Sequence, residues 1–427
     1  MDAKKDSPIK MRRKRTTPVR HRDNVEIIDI YDDSELGEAI PTRRRRSKRS
    51  NSKKHMGYVL WGATALFGVS TIAILATRNG SLQKATAQFA PHRRLGMKVS
   101  KPHTGEGPIK TFTISDSVRD ELYREVANIK VDTSNLQDLE EFIDQAKEIV
   151  QSHVSTEILE ALKSLHNSSS PTSAVYFRNL PVDPYVPPTP TDGSTSLGKT
   201  TYVAEAMLVG FGELTSSHVV GYSAETQYSN PWIHEGFPRN SAGSALTKAS
   251  DLSFHQDMSY HPEVPDILGL VGIREGHDKQ VQTELIDNRE VFDMLPDSIV
   301  KMLREPRFQI KTSDWVDASF DAGSEHQGRG ILTDAASLAI PVDWENMVGL
   351  DKEAQWAVKM LQRAIIEAPK HYVHFVPGEL LFFSNRRTVH ARTPYKDLRF
   401  DGSDRVLNRA YFRKDWSAEE RKTRMIY

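Results

Sequence analysis

The chain has 427 residues, with 57 Lys/Arg balanced by 57 Asp/Glu and no cysteine. The missing thiol excludes disulfides, zinc–thiolate sites and iron–sulfur clusters. Any metal must be held by His, Asp, Glu or backbone oxygen, a donor set that suits iron, manganese or magnesium.

The charge is unevenly spread. Residues 1–55 hold 17 Lys/Arg against 9 Asp/Glu, in the runs KMRRKR and RRRRSKR on either side of VEIIDIYDDSE. Such a segment, residues 1–56, cannot bury enough apolar surface to fold and is expected to be a disordered basic tail. Its basic runs suit anionic lipid or nucleic acid. Residues 58–76, YVLWGATALFGVSTIAILA, carry no charge. At ~1.5 Å per residue they reach about 28 Å, the thickness of a bilayer core. The reading is a single-pass transmembrane helix over 57–77. Basic residues are denser on its N-terminal side, which predicts a cytosolic N-terminus and a catalytic domain on the opposite side of the membrane. Residues 78–107 read as a stem, and 108–427 as the folded domain.

The domain begins with apolar residues at helical spacing in SVRDELYREVANI and in NLQDLEEFIDQAKEIVQSHVSTEILEALKSLHN. SAVYFRNLPVD reads as a buried strand entering a loop, PYVPPTPTDGSTS as a Pro-rich loop, and TYVAEAMLVGFGEL as a helix ending near Gly212. The second half is mostly short strands: DLSFHQD, ILGLVGI, VQTELID, RFQIKT, GRGILTD and ELLFFSN. One long amphipathic helix, LDKEAQWAVKMLQRAIIEA, interrupts them. Helices followed by many strands predict an α+β domain, a double-stranded β-helix (jelly-roll) with helical cover.

Three His-x-Asp/Glu triplets occur, where chance alone gives about two. His21 lies in the tail and His261 precedes a proline, which leaves His255-Gln256-Asp257. At the end of an apolar strand, alternation would point His255 and Asp257 to one face. The later strand GELLFFSNRRTVHAR adds His390. Two imidazoles and one carboxylate leave open positions on Fe(II), an arrangement suited to oxygen activation. Arg405 and Arg409 follow around RVLNRAYF, and a buried arginine there calls for an anion.

With these motifs the chain resembles the Fe(II)/2-oxoglutarate-dependent dioxygenases of the clavaminate synthase-like branch, within the taurine dioxygenase family. The likeness rests on NLPVDPYVPPTP, LSFHQDMSYHPEVPDILGLVGIRE, DWENMVGLDKEAQ, VPGELLFFSNRRTVHARTPY and FDGSDRVLNRAYFR. Where the branch usually carries Thr-Glu after its first histidine, this chain has Gln256-Asp257. The resemblance implies His255, Asp257 and His390 as catalytic Fe(II) ligands. It implies Arg405 and Thr283 as partners of the distal carboxylate of 2-oxoglutarate, and Arg409 as a second arginine near the co-substrate and the substrate carboxylate. It further implies Asp343 and Glu345 as an acidic pair for a cationic substrate side chain, with Gln227 and Ser244 as other substrate contacts. The expected activity is O2-dependent hydroxylation of an unactivated C–H bond in an amino acid or amino-acid-like molecule, free or within a peptide, bearing an amine, guanidine or amide. The alternative is an inactive membrane-tethered binding protein on the same fold.

Overall fold

The computed structural model describes residues 107–427, apart from 130–134, 193, 226, 240–251, 311–326, 334–336 and 342–343. The expected tail, transmembrane helix and nearly all of the stem lie outside the described residues. Among the described residues no helix is long and apolar enough to cross a membrane.

Alternation along the strands builds two cores on the two faces of one large sheet. Its hydrogen-bonded path runs Ile109–Thr113, Ala174–Arg178, Leu380–Ser384, Ile267–Arg274, Val406–Arg413, His218–Tyr222 and Met425–Ile426, with Ile233–Gly236 also paired to Val406–Arg413. Tyr176, Leu268, Leu270, Leu381, Phe383 and Tyr411 face one way. There they meet Phe254, Leu285, Val389 and Ala391 of a four-stranded sheet. That smaller sheet runs His371–Val373, Thr283–Asp287, Thr388–Arg392, Leu252–His255. The intervening residues Val175, Phe177, Ile267, Val271, Phe382 and Phe412 face the other way, into a core shared with helices. Period-2 side chains apolar on both faces explain why these strands read as continuous hydrophobic runs. The two sheets enclosing the first core are the jelly-roll, and the helices form the expected cover.

Local chemistry sets the helix limits. Ser115 caps Asp116–Val126, and Ser155 caps Thr156–Ser164 by accepting from the Ile158 amide at 3.3 Å. The Ser155 cap divides the long amphipathic stretch into Leu136–His153 and Thr156–Ser164, because a cap residue holds extended backbone where a helix would continue. Val203–Glu213 is buried along its whole length. A Cβ on Gly212 would lie 2.1 Å from the Phe412 ring, so the helix can lie this close to the sheet only without a side chain there. At one end of this helix, Lys199 Nζ is held by Asp183 at 2.7 Å and Glu205 at 2.8 Å, all three buried.

Two local expectations need correction. GELLFFSNRRTVHAR is two strands, not one. Leu380–Ser384 belongs to the large sheet and Thr388–Arg392 to the small one, joined by a reversal at Asn385–Arg387. The strand carrying His255 also stops at His255, so Asp257 is not placed by strand alternation. It lies in the turn that follows, just before Met258 at φ 56.

Candidate active site

His255 and His390 are directly paired across the antiparallel strands Leu252–His255 and Thr388–Arg392. Their ring centroids lie 4.2 Å apart. Asp257 is brought to them by a side-chain latch. Asn385, fully buried in the reversal, accepts from the Asp257 amide at 3.0 Å and donates to its carbonyl at 2.9 Å. Gln256 Nε2 donates to the carbonyls of Asn385 and Arg386 at 2.6 and 2.9 Å. These bonds replace the strand ladder that ends one residue earlier.

His255 Nε2 is 3.0 Å and His390 Nε2 3.5 Å from Asp257 Oδ1. One ligand atom from each of the three residues lies within 4.8 Å of the others, and all three residues are buried. His255 Nδ1 lies 2.7 Å from the Ser253 carbonyl. A proton placed there leaves the Nε2 lone pair facing the carboxylate. Electron pairs converging in this way repel unless a cation lies among them, so the donor set fits a divalent metal. Burial lowers His390 to about 3, which keeps it a neutral donor. Burial, the largest single influence, would raise Asp257, but the Arg409 guanidinium together with the neighbouring His255 and His390 outweighs it and holds the carboxyl far below its usual range.

A cavity opens beside the triad. Asp257, His390, Thr283, Arg392 and Arg405 are among the residues that line it. Arg405 immediately precedes Val406–Arg413 and is 4% exposed, yet its Nε and Nη2 have no partner. A buried guanidinium with open donors is costly unless an anion fills the space, and its planar fork matches a carboxylate. Gly276 makes room for it. At φ +84°, a Cβ there would lie 2.5 Å from the Arg405 amide nitrogen.

Arg409, unlike Arg405, is engaged by carboxylates of the chain itself. It borders the same cavity, but Nη1 donates to Asp257 Oδ2 at 2.8 Å and Nη2 to Glu225 at 3.0 Å, leaving Nε without a partner. Burial works against its charge, yet Glu225 chiefly, and then Tyr411, Tyr228 and Asp257, keep it firmly protonated. Glu225 and His234 carry no motif and were not anticipated. Gln227 is half-buried with Nε2 unpaired. Glu345 is exposed on the turn Trp344–Asn346 and does not line the cavity. Trp344 Nε1 ties that turn to the Phe254 carbonyl at 2.7 Å. Asp343 and Ser244 lie outside the described residues.

Residues 172–411 match the family "Taurine catabolism dioxygenase TauD, TfdA family". The chain belongs to this family. The dioxygenase is 30% identical over 290 residues to clavaminate synthase 2 of Streptomyces clavuligerus, covering 66% of this chain and 86% of that protein. It is 29% identical over 260 residues to L-lysine 3-hydroxylase of Catenulispora acidiphila, covering 56% and 67%. The fold matches asparagine oxygenase solved with Fe(II), 2S,3S-3-hydroxyasparagine and succinate, at a TM-score of 0.60 and 22% identity, covering 71% of this chain and 94% of that one. The dioxygenase is therefore an Fe(II)- and 2-oxoglutarate-dependent enzyme that uses O2.

Proposed function

We propose that this dioxygenase hydroxylates an unactivated C–H bond of an amino acid or amino-acid-like substrate. In this reading His255 Nε2, Asp257 Oδ1 and His390 Nε2 hold Fe(II), and Arg405 with Thr283 receives the distal carboxylate of 2-oxoglutarate. The observation that carries it is the buried Arg405 guanidinium, its Nε and Nη2 unpaired, in a cavity that two of the three converging metal donors, Asp257 and His390, also line. Bound iron supplies oxygen activation coupled to co-substrate decarboxylation. The chain supplies the rest. Ser253 sets the His255 tautomer, the Asn385 latch positions Asp257, and Arg405 fixes the co-substrate. Leu268, Leu270 and Leu407 present an apolar wall that excludes water and side reactions.

A substrate with an amine, guanidine or amide group is supported by the lysine- and asparagine-acting relatives and by the acidic Asp343 and Glu345, with Gln227 and Ser244 as further contacts. Glu345 faces solvent, so Asp343 carries more of that reading. We also propose that residues 58–76 anchor the enzyme in a membrane with the N-terminus cytosolic, on the strength of their uncharged run. Basic residues 1–55 would then meet anionic lipid or nucleic acid. Protease protection of tagged termini in sealed vesicles tests the topology.

The activity is tested with Fe(II), ascorbate and O2, measuring succinate release across amino acids and short basic peptides. Fe(II) and 2-oxoglutarate without oxygen should give a visible charge-transfer band, lost in His255→Ala. Absence of both succinate and band in the unaltered protein would refute the assignment.

A further inference from the structure

The two oxygens of Asp257 have different surroundings. Oδ1 faces both imidazoles, at 3.0 and 3.5 Å. Oδ2 is turned the other way, 2.8 Å from Arg409 Nη1 and 3.2 Å from the Tyr411 hydroxyl. Both of those donors are fixed from behind. Arg409 Nη2 lies 3.0 Å from each Glu225 oxygen and 2.8 Å from His234 Nδ1. His234 Nε2 lies 3.1 Å from the Pro231 carbonyl. With a proton on Nε2, Nδ1 is free to accept from Arg409. The guanidinium lies over the Tyr411 ring at 4.5 Å, and Tyr411 packs edge-on against Tyr222 and His234. Arg409, Glu225, His234 and Tyr411 are all at least 95% buried.

We infer that Arg409 and Tyr411 clamp Oδ2, so that Asp257 can offer a metal only Oδ1, with Glu225 and His234 holding Arg409 in place. The inference rests on the metal-triad reading above. A carboxylate can bind a metal through one oxygen or two, and the second mode occupies one more coordination position. A triad binding through three atoms leaves roughly three positions open, as a bidentate co-substrate plus oxygen require. A two-oxygen Asp257 would leave roughly two. To turn toward the metal, Oδ2 would have to break its charge-assisted bond to Arg409 and leave the Tyr411 hydroxyl, whose one proton it shares with Glu225 Oε1 at 3.3 Å. Glu225 has a second effect. It offsets the Arg409 charge, which would otherwise repel a cation a few ångströms away. These four are positioning residues, because they act through Asp257.

The test is an anaerobic Mn(II) titration of the full chain, read by solvent-water proton relaxation, which reports both affinity and the number of metal-bound waters. The unaltered protein should show the three-water relaxivity. Arg409→Gln should lose about a third of it per bound ion, as one of roughly three waters is displaced. Arg409→Lys, which keeps a donor for Oδ2, should restore it. Glu225→Gln should keep the water count but weaken Mn(II) binding about tenfold or more. Equal relaxivity in Arg409→Gln and the unaltered protein overturns the clamp and leaves the triad standing. No Mn(II) binding by the unaltered protein overturns the triad itself. If circular dichroism shows Arg409→Gln unfolded, Tyr411→Phe decides: reduced relaxivity supports the clamp, and unaltered relaxivity overturns it.

Discussion

Replacing Arg405 by Met should separate stability from co-substrate binding. Arg405 is 4% exposed with two guanidinium nitrogens unpaired, so the ligand-free protein bears the cost of that desolvation. Leaving a buried polar group unsatisfied costs ~1–3 kcal/mol. Methionine is similar in length and fills much of the same space, so the ligand-free variant should be about 1 kcal/mol more stable, a rise in Tm of roughly 2 °C. Binding should move the other way. Truncating one partner of a buried, charge-assisted pair costs ~2–5 kcal/mol, and ~3 kcal/mol weakens 2-oxoglutarate about a hundredfold. The assay is anaerobic calorimetry with Mn(II) in place of Fe(II), beside thermal unfolding with and without co-substrate. A Kd within about threefold of the unaltered protein would show that Arg405 does not receive the carboxylate.

Three further outcomes follow from the same geometry. Gly276→Ala forces a Cβ to 2.5 Å from the Arg405 amide at positive φ. It should cost ~1–3 kcal/mol in urea unfolding and weaken 2-oxoglutarate, although Gly276 does not itself line the cavity. Lys199→Met leaves Asp183 and Glu205 buried without their cation, so Tm should fall by roughly 6–10 °C, the consequence of ~3–5 kcal/mol, while co-substrate affinity per folded molecule stays unchanged. His390 is lowered by burial from 6.5 to about 3. Its contribution to ligand-free stability is therefore complete above pH 6.5 and is lost as pH falls toward 3, at about 1.4 kcal/mol per pH unit. Urea midpoints at pH 7, 5 and 4 should show a shallower decline in His390→Asn.

The sequence made the chemistry-bearing residues legible where type and spacing coincide. His255 and Asp257 stand out at the end of an apolar run, and His390 follows another. Continuous apolar stretches such as ILGLVGI and ELLFFS were readable as strands because both faces of the large sheet are covered. Other features were hidden for definite reasons. Arg405 and Arg409 are four apart, so no periodicity distinguishes them. What does is Glu225, 184 residues away from Arg409, which occupies Nη2 of that guanidinium, while Nε and Nη2 of Arg405 stay open. Asp257 owes its position to Asn385, 128 residues distant, and not to a strand. The break between Leu380–Ser384 and Thr388–Arg392 is invisible as hydropathy, because the chain changes sheets without leaving the core. Glu345 is exposed on its turn, a surface position that its motif does not reveal.

The Asn385 latch also bears on the order of events during synthesis. Every backbone bond it makes to Asp257 crosses 128 residues, and the clamp residues Arg409 and Tyr411 emerge later still. A nascent chain that has delivered only His255 and Asp257 has two donors on an unsecured turn. It has no partner strand for His255, so early capture of a metal is disfavoured. The full donor set arises only after the hairpin closes and Thr388–Arg392 pairs with Leu252–His255, and the clamp on Asp257 only after Val406–Arg413 inserts between Ile267–Arg274 and His218–Tyr222. Metal loading thus requires pairing across 135 residues, from His255 to His390, and a chain stalled before His390 should emerge from synthesis without metal.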